Sequence, residues 1–432
     1  MGIVRAVGNH LERDGELFVP WGVNHFWPRT GWAPQLWKTY DPAKAERDFA
    51  KLAELGCNVA RVFGTWQSFC SSETEINTEG FDKFDSMLEI AWKHGIMLHP
   101  TGPDHWEGFP AFMDGEANYI QAEPLLRAAE NYWHEMATRY RNDERIFAFD
   151  LLNEPSVRVD SHFLRAWREI AEPKKDPVAW PVDLNSRPKG ICDEAKLEAE
   201  RLRWRLGDAW IGRMCEAIRS TGTETAITVG YLQFTFPFMP LSCGFHLAGG
   251  AELLDFISIH FYPGNIGLCT DYRWELDQGA LWASYAASFG KPMIFGEFGW
   301  LGGNEKPFVS EAGTVSYPPS TQEQSAVWCR DLVEATRPYA CGWLCWGSFD
   351  VPESRDCTRH SGLLDADGNI KAWGRTFAGL GPRVKAGVPE PNLPMVGFEL
   401  EPLLLGRVDA YEALDELIYR RRVEGEFSLH EA

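Results

Sequence analysis

Glu154 closes the segment LLNEP (151–155) and Glu297 sits inside FGEFG (295–299). Each ends a run of β-branched and aromatic residues, IFAFDLLNE (146–154) and PMIFGEFG (292–299). A carboxylate at the end of a buried strand is costly unless it is paired or used. Other polar groups and aromatics end runs of the same kind: Asn24 and His25, Arg61, His99, Asn153, Tyr231, His260 with Tyr262, and Trp346. Two carboxylates facing one another across a cleft are what cleavage of a glycosidic bond needs. One protonates the departing oxygen, while the other attacks the anomeric carbon or activates water. Either glutamate alone reads equally well as a salt-bridged rim residue. The two together, with Arg61 and His260 at the same edge, favour chemistry.

The elements that must hold these residues alternate regularly. Eight short β-branched or aromatic runs are bounded by Gly, Pro, Asn or Asp: 18–26, 58–64, 96–102, 146–154, 225–232, 255–262, 292–299 and 342–349. Between them lie stretches with helical periodicity. DPAKAERDFAKLAELG (41–56) opens on Asp41 and Pro42 and stops at Gly56; FDKFDSMLEIAWKHG (81–95) follows the same plan. Eight strand-helix units predict a (β/α)8 TIM barrel with inserted loops, over a doubly wound open sheet as the rival. Barrels of this kind build their sites at the C-terminal ends of the strands, where both glutamates fall.

The longest insertion follows the fourth strand and carries the Pro-rich tract AEPKKDPVAWPVDLNSRPKG (171–190), expected to sit over the barrel mouth. The catalytic barrel is assigned to residues 1–380. A C-terminal extension, 381–432, reads as a linker, GPRVKAGVPEPNLP (381–394), and an amphipathic helix, 408–423. Val408, Tyr411, Leu414 and Ile418 share one face of that helix, which docks either on its own barrel or on a second subunit, making a homo-oligomer.

Composition removes several function classes. The chain has 432 residues, of which 44% are hydrophobic and 24% charged, enough for a sizeable core. Its net charge of −20 repels phosphate backbones and anionic lipid, so neither nucleic acid nor a membrane is an expected partner. No apolar run approaches the roughly 18 residues needed to cross a bilayer. The first residues, MGIVRAVGNHLERDGE, lack the apolar stretch of a signal peptide, so cytoplasmic residence is the expectation and the ten cysteines read as reduced thiols. HEMATR (134–139) lacks the second histidine of a zinc protease, and neither GxSxG nor a phosphate-binding GxxxxGK[ST] loop occurs. No metal or cofactor is required. Nineteen tryptophans cluster partly in loop-like segments such as HFWPRTGWAPQLW (25–37) and DHWEGFPAF (104–112). Exposed aromatic faces there would suit sugar rings, although core packing is the commoner role of any one of them.

LLNEP and FGEFG resemble the acid/base and nucleophile signatures of glycoside hydrolase clan A, and of family 5 within it. Arg61, the His-x-Tyr of His260 and Tyr262, and Trp346 resemble the remaining active-site positions of that family, and the resemblance spans about residues 15–380. It implies a retaining mechanism with Glu154 as general acid/base and Glu297 as nucleophile. It further implies Asn153 on the sugar 2-hydroxyl and Trp346 beneath the cleaved sugar; a nucleophile that must stay ionised needs donors around it, and Arg61 and Tyr262 are the candidates for Glu297. The family places a histidine near the end of strand three, where HPTGPDHWEG offers His99 and His105; His105, nearer the mouth, is preferred. The loops after strands one, four and eight are similar to the β-mannosidase-like branch, which acts on short β-linked mannosides. The expected activity is therefore an exo-β-mannosidase acting on oligosaccharides. The alternatives are an endo-β-1,4-mannanase or cellulase with an open groove, a β-glucosidase or β-galactosidase, or a carbohydrate-binding pseudo-enzyme without turnover.

Overall fold

All eight expected runs form strands, and the strands close into one parallel barrel. They are β1 (Trp21–Asn24), β2 (Val59–Thr65), β3 (Met97–Asp104), β4 (Phe149–Asn153), β5 (Ile227–Tyr231), β6 (Ile257–Phe261), β7 (Met293–Phe298) and β8 (Gly342–Cys345). Gly22 pairs with Val59, Arg61 with His99, Thr101 with Asp150 and Phe149 with Ile227. Gly230 pairs with Ser258, Met293 with Ile257 and Ile294 with Gly342, and Trp343 against Trp21 completes the ring. Every residue of these strands is buried, as expected for parallel strands covered on both faces. This computed structural model describes residues 2–31, 35–113, 116, 118–170, 194–236, 242–262, 272–300, 320–354 and 357–387. It also describes isolated positions at 308–309, 316–317, 397–398, 412, 416, 418–419 and 430–431.

The crossover helices start and stop where their capping residues dictate. Helix Pro42–Glu54 begins after Asp41, whose side chain accepts from the Ala43 amide, and the chain turns away at Gly56 with φ 79°. After the short helix Trp66–Phe69, the next crossover helix begins at Thr78, three residues earlier than its apolar pattern alone suggests, because Asn77 caps it by accepting from Glu79 N. The insertion after β4 forms helices Ser161–Ile170 and Glu194–Arg219, and the tract 171–190 lies outside the described residues.

Two features depart from the sequence reading. The first five residues of the expected linker, 381–385, belong to helix Ala372–Lys385 despite Pro382. Packing overrides the linker composition there: Gly381 lies against the Trp21 indole and Val384 is fully buried. Ahead of the barrel, Val4–Val7, His10–Arg13 and Glu16–Leu17 form a small antiparallel sheet that the reading passed over. Its Val4 and Leu11 pack on Val59, Met97, Phe147, Phe256 and Ile294 and so plug the N-terminal end of the barrel.

Of the C-terminal helix expected at 408–423, Val408, Tyr411 and Leu414 lie outside the described residues. Ile418 is helical, buried and part of the main core, while Tyr419 beside it is exposed. Among the described residues, no helix is long and apolar enough to cross a membrane. Cys57, Cys70, Cys215, Cys243, Cys329, Cys341 and Cys345 are free thiols.

Candidate active site

Irregular backbone presents both carboxylates. Against β6, the register of β7 shifts between Phe295 and Glu297, and such a bulge re-aims the side chain that follows it. The β4–β5 register shifts between Asp150 and Asn153. Immediately after it, Glu154 adopts φ 48°, a left-handed conformation that costs a non-glycine residue energy and recurs at functional sites. The Glu154 amide donates to Gly230 O at 2.9 Å, which fixes that conformation to β5. A side chain at Gly230 would displace Arg61 or His260, since a Cβ would lie 2.7 Å from Arg61 Nη2 and 2.8 Å from His260 Nε2.

Arg61 is fully buried and organises the floor of the site. Its Nη1 donates to Glu297 Oε1 at 2.6 Å and to Asn24 Oδ1 at 2.8 Å, and its Nη2 to Asn153 Oδ1 at 2.9 Å. Its Nε donates to Asp150 Oδ2 at 2.7 Å and to Thr101 Oγ1 at 3.0 Å. Asp150, also fully buried, accepts in addition from the Gly230 amide and from Thr101 Oγ1, each at 2.7 Å. With three hydrogen bonds fixing it, Asp150 holds the guanidinium in one orientation. Tyr262 OH donates to the second oxygen of Glu297 at 2.7 Å, so Arg61 and Tyr262 flank that carboxylate as the sequence reading expects.

Burial pushes the Glu297 carboxyl above the ordinary carboxylate range, while His260, Arg61 and the Tyr262 hydroxyl pull it back down. Glu154 is the more open of the pair, with 29% of its side chain exposed against 3% for Glu297. His260 bridges them: its Nδ1 lies 2.9 Å from Glu154 Oε1 and 3.4 Å from Glu297 Oε2. Burial lowers the His260 imidazole to about 4, so the ring is neutral at ordinary pH. Among the described residues its buried Nε2 has no hydrogen-bond partner, which places the proton of the neutral ring on Nδ1, as a donor shared between the carboxylates.

Glu154, His260 and Glu297 each offer a donor atom within 4.8 Å of the others, a spacing a metal ion could use. Both oxygens of Glu297 already accept hydrogen bonds, and the fixed Arg61 charge opposes a cation there.

Above this floor lies a cavity of about 220 Å³ lined by Trp106, Asn153, Glu154, Leu232, Gln233, Phe234, His260, Tyr262, Glu297 and Trp346. Trp346 packs on Phe26 and Phe63 and donates through Nε1 to Thr358 Oγ1 at 2.9 Å, so it is at once core and cavity wall. Of the residues singled out from sequence, Asn153, Glu154, His260, Tyr262, Glu297 and Trp346 line the cavity, and Arg61 lies beneath it. His105 does not line it. It pairs with Asp104 at 2.7 Å and stacks on Trp106, which takes the place at the wall. His99 is farther down the barrel, buried, with Nδ1 2.8 Å from Ala148 O. Trp27 and Trp37, which the loop-like sequence marked as possible sugar platforms, are 1% exposed and belong to the core.

Sequence reasoning missed Asp150 and the turn Leu232–Phe234, and it marked Trp106 only as part of the loop-like aromatic segment 104–112. A charged residue within the apolar run IFAFDLLNE was a usable signal for Asp150. Nothing in the sequence marks Gln233.

The family model described as "Cellulase (glycosyl hydrolase family 5)" matches residues 20–349. A probable mannan endo-1,4-β-mannosidase A-2 of Aspergillus terreus is 24% identical over 336 residues, covering 69% of this chain and 71% of the relative. Among solved structures, GH5_18 from Streptomyces cattleya in complex with Manβ1-4GlcNAc superposes with a TM-score of 0.68 at 17% identity, over 96% of this chain and 94% of that one. The exo-β-1,4-mannosidase of Opitutaceae bacterium strain TAV5 gives 0.63 at 19%, over 92% and 64%.

Proposed function

The chain belongs to glycosyl hydrolase family 5, and from that premise we propose that it is a retaining exo-β-mannosidase releasing β-linked mannose from short oligosaccharides. The observation that carries the retaining mechanism is the separation of the two carboxylates. Their oxygens approach within 4.8 Å. Retaining enzymes hold the two groups about 5–5.5 Å apart, whereas inverting enzymes leave about 6.5–9.5 Å for a water.

In this reading the terminal sugar sits against Trp346, and its anomeric carbon faces Glu297. A carboxylate oxygen of Glu297 attacks that carbon as the glycosidic C–O bond breaks, and Glu154 delivers its proton to the departing oxygen. Glu154 then takes a proton from water, which attacks the anomeric carbon and displaces Glu297. Arg61 and Tyr262 hold the nucleophile charged and oriented. Asn153, with its oxygen engaged by Arg61, turns its amide N–H groups to the sugar 2-hydroxyl.

Mannose is supported by the names of the relatives, and exo action by the name of the Opitutaceae enzyme, an exo-β-1,4-mannosidase. The Aspergillus terreus relative is named an endo-enzyme, which supplies the second reading. A panel of 4-nitrophenyl β-mannoside, β-glucoside and β-galactoside beside mannan and carboxymethylcellulose separates the two. Monosaccharide release from the mannoside alone supports the proposal, mixed oligomers from a polymer replace it with an endo-enzyme, and binding without turnover of any substrate would leave a pseudo-enzyme. For the C-terminal extension, buried Ile418 supports docking on the chain's own barrel. A shift to a smaller assembly on deleting residues 395–432 would instead show subunit contact.

A further inference from the structure

One buried glutamate ties together the loops that follow β1, β2 and β3. Glu107 is 4% exposed, and each of its carboxylate oxygens collects hydrogen bonds from a different segment of chain. Its Oε1 accepts from the backbone amides of Leu36 at 3.1 Å, Trp37 at 2.8 Å and Lys38 at 3.2 Å, in the loop after β1. Its Oε2 accepts from Thr65 Oγ1 at 2.8 Å, at the end of β2, and from Ser68 Oγ in the short helix that follows. Lys38 Nζ also donates to the Glu107 carbonyl. A carboxylate is costly to bury, and these donors make its burial tolerable.

The neighbouring residue shows what this clamp holds. Trp106 lines the cavity and packs against the apolar cluster that contains Tyr262 and Trp346. The Gly108 amide donates to His105 O at 2.8 Å, so Trp106 and Glu107 are the two central residues of one tight turn. On its outer side that turn has only rings. Trp106 stacks on His105 at 4.8 Å and His105 on Phe109 at 6.0 Å between centroids, and Phe109 is exposed. The stack leads out to solvent, and the anchor of the turn is the Glu107 carboxylate.

We propose that Glu107 is a positioning residue for substrate binding, its carboxylate fixing the turn 105–108 so that Trp106 presents a set wall to the sugar. The proposal deepens the glycosidase reading above and rests on it. A wall touches the sugar alike before and during bond cleavage, so loosening it should raise KM and spare kcat.

The test uses the intact protein and the aryl glycoside that it cleaves. Glu107→Ala should raise KM about tenfold while kcat stays within about threefold of wild type. Glu107→Gln keeps an oxygen for the three amides and should bring KM back to within about threefold. In a Trp106→Ala background, Glu107→Ala should raise KM by less than about twofold further, because the group it acts through is gone. The proposal is overturned if Glu107→Ala leaves KM within about twofold of wild type, if kcat falls as far as KM rises, or if the effects of the two substitutions multiply. A merely structural role gives the last two results. Should Glu107→Ala not fold, Thr65→Val combined with Ser68→Ala strips the two hydroxyl donors and leaves the carboxylate in place. That variant should raise KM about threefold, and an unchanged KM overturns the proposal. A wild type that turns over no glycoside would overturn the glycosidase reading instead. Calorimetric titration with β-1,4-mannobiose would then read the same variants through Kd, with the same weakening expected for Glu107→Ala, and an unchanged Kd or a wild type that does not bind would overturn the role of Glu107 as well.

Discussion

At the N-terminal end of the barrel, Val59, Met97, Phe147, Phe256 and Ile294 close on one another and on Val4 and Leu11. At the C-terminal end, the same strands and the residues just beyond them present Arg61, Asp150, Asn153, Glu154, His260 and Glu297. The first end gains stability from apolar surface removed from water. The second buries charge, which is tolerable only because each charged group is bonded: Arg61 meets both Asp150 and Glu297, and Asp150 takes up a backbone amide as well. One set of strands thus divides folding from chemistry along its length, and substitutions at the two ends should separate the two properties.

The largest effect belongs to Glu297→Ala, which should leave less than about a hundredth of wild-type turnover. Its unfolding free energy should change little, since Arg61 keeps Asp150 as a counter-ion. Paired activity and denaturation measurements check both halves, and a variant that keeps its turnover would remove Glu297 from the nucleophile role. Glu154→Ala comes next. Disaccharide hydrolysis should fall about 10²–10⁴-fold, while aryl glycosides, whose leaving groups need little protonation, lose far less. Equal losses on both substrate types would count against Glu154 as the acid.

At the other end, Phe256→Ala removes a fully buried ring from the plug layer and should cost about 3–5 kcal/mol in urea unfolding. Here kcat at moderate temperature should hold; a matching fall in kcat would show that the two ends are coupled. The smallest effect is the most diagnostic. As the proposed nucleophile Glu297 has to be ionised, and burial raises its carboxyl, so activity should be lost as pH falls through a midpoint above the ordinary carboxylate range. Tyr262→Phe removes a hydrogen bond that favours the charged form. The acid limb should then move to higher pH, with kcat/KM down about tenfold on that limb. An acid limb that stays in place would mean that the hydroxyl does not tune Glu297. The full profile should be a bell whose midpoints belong to the coupled pair.

Much of this architecture is legible in the chain itself. All eight strands, the start of the first crossover helix at Asp41 and Pro42, and the residue types at the strand ends follow from local patterns of apolar, capping and turn residues. Those patterns are written within a dozen neighbouring positions, and for that reason they can be read without the fold. The site was legible as a set of residues, Arg61, Asn153, Glu154, His260, Tyr262, Glu297 and Trp346, but not as a geometry.

Only the tertiary structure decided the rest. Arg61 and Glu297 are 236 positions apart in sequence and 2.6 Å apart in space. Trp27 and Trp37 went to the core although their segment reads as a loop, and Trp106 reached the cavity where His105 was expected. Residues 381–385 stayed helical because Trp21, far away in sequence, offers them a surface. Asp150 acquires its meaning from what bonds to it across strands. Burial and hydrogen-bond completion are sums over non-local neighbours, and no local window of sequence contains them.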